Sequence, residues 1–378
     1  MHQLTDGLIK RGMSVKVAAL DPFSDGRENA LPAEYMDKTA YEALPIDTSI
    51  RLHKALFNLF TRQSYNISRF YSKQVEERIA KILQQDHFDI IQLEGLYLTP
   101  YIPVIRRHSA ASLLFRSHNI EHFIWERLAK TARNPLKKIY LSILARRLKL
   151  FEMKTVHQVD GLIAISHVDL HFFRQNGFSH PAVTIPVGVD ERWQPAGDNP
   201  GDNYTAFHIG SMDWRPNQEG LAWFMEEVWP LVVAEKPGLV FVLAGRNVPG
   251  EFYRYQSDQI RILGEVEDAR HFMHGHGLMI VPLRSGGGMR VKIIEGMAAG
   301  KAIVSTSIGA EGIHCTHGEN ILLADTAGEM AEAILYCFSN KDEMIKLGRN
   351  AASFAQKNHS VPVYMDHLIE FYQAFSEK

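Results

Sequence analysis

The sequence is poor in the features that assign a protein most quickly. Among 378 residues there are two cysteines, Cys315 and Cys337. Two are too few for a disulfide framework, and such scarcity points to a reducing compartment, the cytoplasm. No apolar run approaches the roughly 20 residues of a membrane-spanning helix, and the first residues do not read as a secretory leader. No Asp-x-Asp pair occurs, which argues against a site that grips a diphosphate through a carboxylate-bound metal. Neither low-complexity tracts nor repeats at solenoid period are present. The formal net charge is only −2, so nucleic acid is not an expected partner. The charge is unevenly spread, however. Through Asp190 there are 25 Lys and Arg against 19 Asp and Glu, and the remainder is acidic. That asymmetry suits a first half facing anionic material.

What is present centres on the stretch 278–305. Leu278–Leu283 is a short apolar run suited to a strand buried on both faces. Gly286, Gly287 and Gly288 then bare the backbone, and Val291, Ile294 and Ala298 recur at helical spacing. Gly300 ends that helix, and Ala302–Ser305 begins another strand. Backbone N–H groups at a helix N-terminus favour an anion. Arg284, Arg290 and Lys292 surround the same loop with positive charge. Strand, glycine loop and charge together point to a phosphate site; a tight turn alone is the plainer alternative.

The segment Glu295-Gly-Met-Ala-Ala-Gly300 resembles the donor-sugar loop of group 1, family four glycosyltransferases. These enzymes have the GT-B fold, use nucleotide sugars and retain anomeric configuration. The resemblance implies that Glu295 meets the ribose hydroxyls. It implies that the Gly286–Gly288 backbone, Met289, Arg290 and Lys292 hold the diphosphate. A second glutamate expected eight positions earlier is replaced by Gly287.

The rest of the chain fits that resemblance. His2–Lys10 reads as a helix and Ser14–Leu20 as a strand. The family places another strand and a glycine loop before them, so a first strand is expected to be missing, by truncation at the sequence level. Residues 21–63 read as a long loop with helical pieces, and Ser64–Gln85 as one helix. Pro186-Val-Gly-Val-Asp190 and the stretch to Pro200 read as a hinge. The second half alternates strand and helix, Gln218–Ala234 being one such helix. This predicts a doubly wound parallel sheet that binds ligands beyond its strand C-termini. The expected fold is α/β, with two Rossmann-like domains facing a cleft. The first spans 1–187 plus a returning helix 362–378, and the nucleotide-sugar domain spans 188–361.

Other strand ends supply further candidates. Ile209–Asn217 offers Gly210 and Arg215, the latter implied by the family as a diphosphate contact and catalytic cation. Leu243–Arg246 offers Arg246. By resemblance Val266 reads the base edge and Glu311 lines the nucleotide wall. In the first half, Ser117-His118-Asn119-Ile120-Glu121-His122 follows a strand end. His118, able to hydrogen-bond the donor or help proton transfer, suits the reacting sugar face, with Glu94, Asn119 and Glu121 on the acceptor side. Asn119 and Glu121 equally suit the start of the next helix. His271, His274 and His276 lack a carboxylate or cysteine to complete a zinc site, so neither metal nor cofactor is expected.

A basic helix at about Pro135–Gln158, with Ile139, Ile143, Leu144, Leu148 and Phe151 as its apolar face, admits peripheral contact with an anionic membrane. The resulting expectation is a retaining, metal-independent, hexosyltransferase-type enzyme of polysaccharide biosynthesis. It would move a sugar from a nucleotide sugar to a glycan or lipid-linked acceptor. A silent GT-B partner subunit and a nucleotide-sugar epimerase of the same fold are the alternatives.

Overall fold

The structure, a computed structural model, describes residues 2–22, 32–49, 58, 64–132, 134–189, 192–195, 202–286 and 288–376. It divides into two compact units, Met1–Pro186 with Met365–Lys378, and Val187–Tyr364.

The first unit opens with α1 (His2–Lys10), β1 (Ala18–Pro22), α2 (Ala33–Lys38) and β2 (Glu42–Ile46). It continues through α3 (Tyr65–Ser68), α4 (Lys73–Gln85), β3 (Ile90–Glu94), α5 (Ile102–His108), β4 (Ser112–Ser117) and α6 (Glu121–Thr131). The long α7 (Pro135–Val156) leads to β5 (Gly161–Ala164), α8 (His167–Gln175) and β6 (Ala182–Thr184). β3, β4, β5 and β6 form a parallel sheet in that order. Consecutive residues point to opposite faces of a strand, yet Leu113 and Leu114 are both fully buried, as are Leu162 and Ile163. Both faces are therefore covered, which explains why these strands read as continuous apolar runs. β1 and β2 form a separate parallel pair. A cavity of about 840 Å³ lies between the two sheets, lined by Val17–Leu20 beside Ile90, Gln92 and Glu94, with Leu4 and Leu8 of α1.

The second unit holds β7 (Asp202–Ile209), α9 (Arg215–Trp223), α10 (Trp229–Glu235), β8 (Val240–Ala244), β9 (Ile260–Gly264) and α11 (Ala269–Gly275). β10 (His276–Val281), α12 (Val291–Ala298), β11 (Ala302–Ser305), β12 (Leu322–Leu323), α13 (Ala327–Ser339) and α14 (Lys341–His359) follow, and α15 (Val361–Ser376) ends the described chain. The sheet is parallel throughout, in the order β12-β11-β10-β7-β8-β9. The chain winds outward from β7 to β9, then returns to lay β10 on the other side of β7. Beyond the ends of β7 and β10 the winding reverses, and open parallel sheets bind ligands at such a switch point.

Three expectations need correction. Residues 42–46 form a strand rather than loop. Pro45 hid it, and an edge strand tolerates proline because one side of its backbone carries no ladder. The helix expected over Ser64–Gln85 is broken between α3 and α4. There the Tyr101 hydroxyl donates to Phe70 O at 2.9 Å and accepts from Ser72 N at 3.0 Å. The helix expected over Gln218–Ala234 starts at Arg215 and carries a wider turn at Phe224–Val228. Pro230 follows that turn; it lacks an N–H and its ring crowds the carbonyl four residues back.

Small residues at the strand ends let this architecture close. A Cβ on Gly245 would lie 1.8 Å from Gly210 O, and one on Gly220 would lie 2.3 Å from Pro282 O. Replacing Gly245 by Ala is therefore expected to destabilise the protein by about 2 kcal/mol or more through forced overpacking. The midpoint of urea unfolding measures it, and an unchanged midpoint would contradict this packing.

Candidate functional site

In the second unit the ends of β7 and β10 bring a group of predicted residues together. Lys292, in the first turn of α12, donates from Nζ to His208 Nε2 at 3.1 Å and to Asn217 Oδ1 at 2.9 Å. A Cβ on Gly210 would lie 2.7 Å from the same Nζ, so the amine rests against bare backbone. Arg290, at the N-cap of α12, is only 6% exposed; it donates to Gly288 O at 2.6 Å and stacks 4.7 Å above the Trp214 ring. Gly286 (φ 106°) and Gly288 (φ 82°) occupy left-handed conformations that favour glycine. A Cβ on Gly286 would strike the Trp214 ring at 2.7 Å. Gly287 lies outside the described residues.

Electrostatics single out Lys292. Burial, reinforced by the Arg290 charge, lowers its pKa to about 7. His208 is fully buried and held neutral by burial and by Lys292. Its Nδ1–H donates to Ile280 O at 2.8 Å, which leaves Nε2 as the acceptor. Burial raises the pKa of Glu295, whose carboxylate has no hydrogen-bond partner among the described residues.

The remaining predicted residues stand apart from that cluster. Arg215 is exposed and donates to Glu219 at 2.8 Å, one turn along α9. Glu219 in turn accepts from Ser285 at 3.2 Å, which ties the pair to the glycine loop. Arg246 is exposed after β8, while Val266 and Met289 pack against the core. Glu311 is half-buried in the turn after β11. Of the three neighbouring histidines, His276 packs on Phe272 with ring centroids 4.5 Å apart. No cluster of three metal-ligating side chains occurs among the described residues.

In the first unit, His118 Nε2 donates to Glu94 at 2.7 Å, and Arg116 lies 3.6 Å from the same carboxylate oxygen. Burial alone would raise the Glu94 pKa, but His118 and Arg116 outweigh it and hold it below the ordinary value. Glu121 accepts from the Tyr97 hydroxyl at 2.9 Å; burial raises its pKa, with the nearby Glu152 adding to the rise. Glu121 is the first residue of α6. The cap of that helix comes not from Asn119 but from fully buried Glu152 on α7. Glu152 accepts from Glu121 N at 2.9 Å, His122 N at 3.2 Å and His122 Nδ1 at 2.6 Å.

Residues 1–193 match the model of Glycosyltransferase Family 4, and residues 203–340 that of Glycosyl transferases group 1. The chain belongs to glycosyltransferase family 4. A Klebsiella pneumoniae protein described as an uncharacterised 44.6 kDa protein in the cps region is 25% identical over 315 residues, 79% of this chain and 78% of its own length. A phosphatidyl-myo-inositol mannosyltransferase of Mycolicibacterium smegmatis is 26% identical over 223 residues, covering 56% of this chain and 55% of that protein. Among solved structures, sucrose-phosphate synthase of Thermosynechococcus elongatus superposes with TM-score 0.72 at 16% identity, over 100% of this chain and 92% of that one. Anabaena HepE in complex with UDP gives 0.67 at 15%, over 99% and 96%. These structural likenesses establish the GT-B fold. The family 4 protein described here is a glycosyltransferase.

His208, Asn217 and Glu152 were not picked out from the sequence. A histidine inside Ala206-Phe-His-Ile209 was the available signal, since a polar side chain in a strand buried on both faces must find a partner. Removing Glu152 as Ala strands three buried donors, with an expected cost of about 3 kcal/mol. Chemical denaturation tests this; a loss below about 1 kcal/mol would contradict the capping role.

Proposed function

We propose that the second unit binds the diphosphate of a nucleotide sugar through Lys292, Arg290 and the backbone of Gly210, Gly286 and Gly288. The observation that carries this is a half-buried amine held on two neutral acceptors and a buried guanidinium, brought to one strand switch point. The leaving diphosphate gains charge as the glycosidic bond to the donor breaks, and cations fixed in place stabilise that charge without reorganising. In this reading they fill the role a metal fills elsewhere. Glu295 accepts from the ribose hydroxyls, Val266 and Glu311 flank the nucleotide, and the exposed Arg215 and Arg246 swing in as further cations. His118, held by Glu94, serves the reacting sugar; Glu94, Asn119 and Glu121 border the acceptor. Transfer retains the anomeric configuration and ends on a hydroxyl of a glycan or lipid-linked acceptor. The cps-region relative supports a place in surface-polysaccharide synthesis, and the UDP complex of HepE supports a nucleotide donor.

A thermal-shift screen with UDP, GDP, ADP and dTDP, with and without magnesium, tests the donor site. A ligand at 100 times its dissociation constant stabilises by about 2.7 kcal/mol. One nucleotide is expected to shift the protein equally without metal; no shift with any would favour the silent-subunit reading. Glu295→Ala should weaken the nucleotide about fivefold or more by removing a charged acceptor. The Lys292 amine is charged below about 7, and an anion favours its charged form. Binding therefore takes up a proton above that pH, and affinity should fall toward about tenfold per pH unit between pH 7 and 9. A flat profile would contradict the assignment of Lys292.

Peripheral membrane contact is proposed for the first turn of α7. Ile139 was expected on the apolar core face but is 59% exposed, beside Leu136 at 77%, with Lys137 and Lys138 between them. Each basic residue near an anionic surface contributes about 1 kcal/mol. Salt-sensitive sedimentation with anionic vesicles is expected, and its absence would sink the proposal.

A further inference from the structure

His208 has no part in the donor contacts proposed above. It is fully buried on β7, its Nδ1–H is committed to Ile280 O at 2.8 Å, and its remaining lone pair meets Lys292 at 3.1 Å. Asn217 is arranged the same way. Its amide nitrogen donates to Ser211 O at 2.7 Å, which fixes the amide so that Oδ1 faces Lys292 at 2.9 Å. Both partners of the amine are thus acceptors whose orientation is set by backbone carbonyls, and both are neutral.

A lysine amine has three bonding positions besides its carbon. A neutral –NH2 donates to both acceptors and keeps a lone pair in the third position. A charged –NH3⁺ makes the same two bonds and presents a third N–H. Only the third position changes between the two states. We propose that His208 and Asn217 are positioning residues that act through Lys292: they hold the amine on two neutral acceptors so that its third position takes a proton from solvent when a diphosphate arrives. This rests on the reading that the second unit binds a nucleoside diphosphate. The step makes one N–H bond on Nζ, the proton comes from buffer, and the new N–H donates to a phosphate oxygen.

The surroundings favour this balance. The charged or titratable groups facing the amine among the described residues are His208 from β7 and Arg290 from the loop before α12. α9 presents the uncharged Asn217 amide. Among the described residues no carboxylate is bonded to the amine to keep it charged without ligand. A carboxylate at either acceptor would hold Lys292 charged at all ordinary pH and uncouple binding from the proton.

The test uses the full chain labelled with 13C at lysine Cε, titrated by NMR without ligand. The Lys292 signal is identified by its loss in Lys292→Met. His208→Phe removes a neutral acceptor of the ammonium and should move the midpoint down by about one pH unit, whereas Asn217→Asp should move it up by about one unit or more. His208→Gln, which can still offer an acceptor near the Nε2 position, should stay close to the parent. Calorimetry with UDP at pH 8, in two buffers of different ionisation enthalpy, should show proton uptake in the parent and none in Asn217→Asp. Opposite midpoint shifts are not produced by general loosening of the fold. Midpoints that stay in place, or that move the same way in both variants, overturn the proposal. Should His208→Phe fail to fold, Asn217→Asp decides alone. Failure of the parent to bind UDP, GDP, ADP or dTDP would overturn the donor-site reading instead, while the midpoints still judge the two positioning residues.

Discussion

Enclosing an ammonium in protein disfavours its charge unless something offsets the lost water. At Lys292 the offset is two hydrogen bonds donated to neutral acceptors, and much of the second unit serves to hold those acceptors still. His208 accepts only because the Ile280 carbonyl has taken its other nitrogen. Asn217 presents oxygen rather than nitrogen because the Ser211 carbonyl has taken its amide. The Ile280 carbonyl lies on β10 and the Ser211 carbonyl just beyond the end of β7, so the site is held where these strands end. The close approach of Gly245 to Gly210, on the other flank of β7, brings the neighbouring strand exit in without any side chain between.

The first unit handles charge in the opposite way. Its buried acids have partners that neutralise or cap them. Glu94 faces His118 and Arg116, while Glu152 receives two backbone N–H groups and an imidazole N–H. Removing one partner there leaves a group stranded, so these contacts are structural as much as chemical. Glu121 accepts from the Tyr97 hydroxyl, and burial, with Glu152 nearby, raises its pKa.

Much of this was legible in the sequence, and the limits have physical causes. The parallel sheets could be read because strands buried on both faces must be continuously apolar, as at Leu113–Leu114 and Leu278–Val281. The glycine loop could be read because bare backbone beside Arg290 and Lys292 has few uses. β2 was hidden by Pro45, which only an edge position permits. The break at residues 69–72 was hidden because the Tyr101 hydroxyl that secures it lies 29 residues away from Ser72. The same holds for the site. Lys292 is visible locally, but its acceptors lie 84 and 75 residues earlier in the chain, and no spacing rule links them. The cap of α6 by Glu152 is non-local for the same reason.

The placement of the cations carries the last inference. Arg290 is the N-cap of α12 and Lys292 lies in its first turn, which holds no acidic residue. A helix N-terminus has a partial positive charge and favours anions, each such contact being worth about 0.3–1 kcal/mol. Two cations there work against the helix that carries them, and a helix selected for stability alone would place Asp or Glu instead. Burial is the main cause of the lowered pKa of Lys292, and the neighbouring Arg290 charge adds to it. An anion at the loop would reverse every one of these penalties at once: it complements the helix dipole, restores the charge on Lys292 and faces Arg290. Local rules of sequence are broken here in a single direction, and sites that break them in one direction are where function is expected to offset the loss.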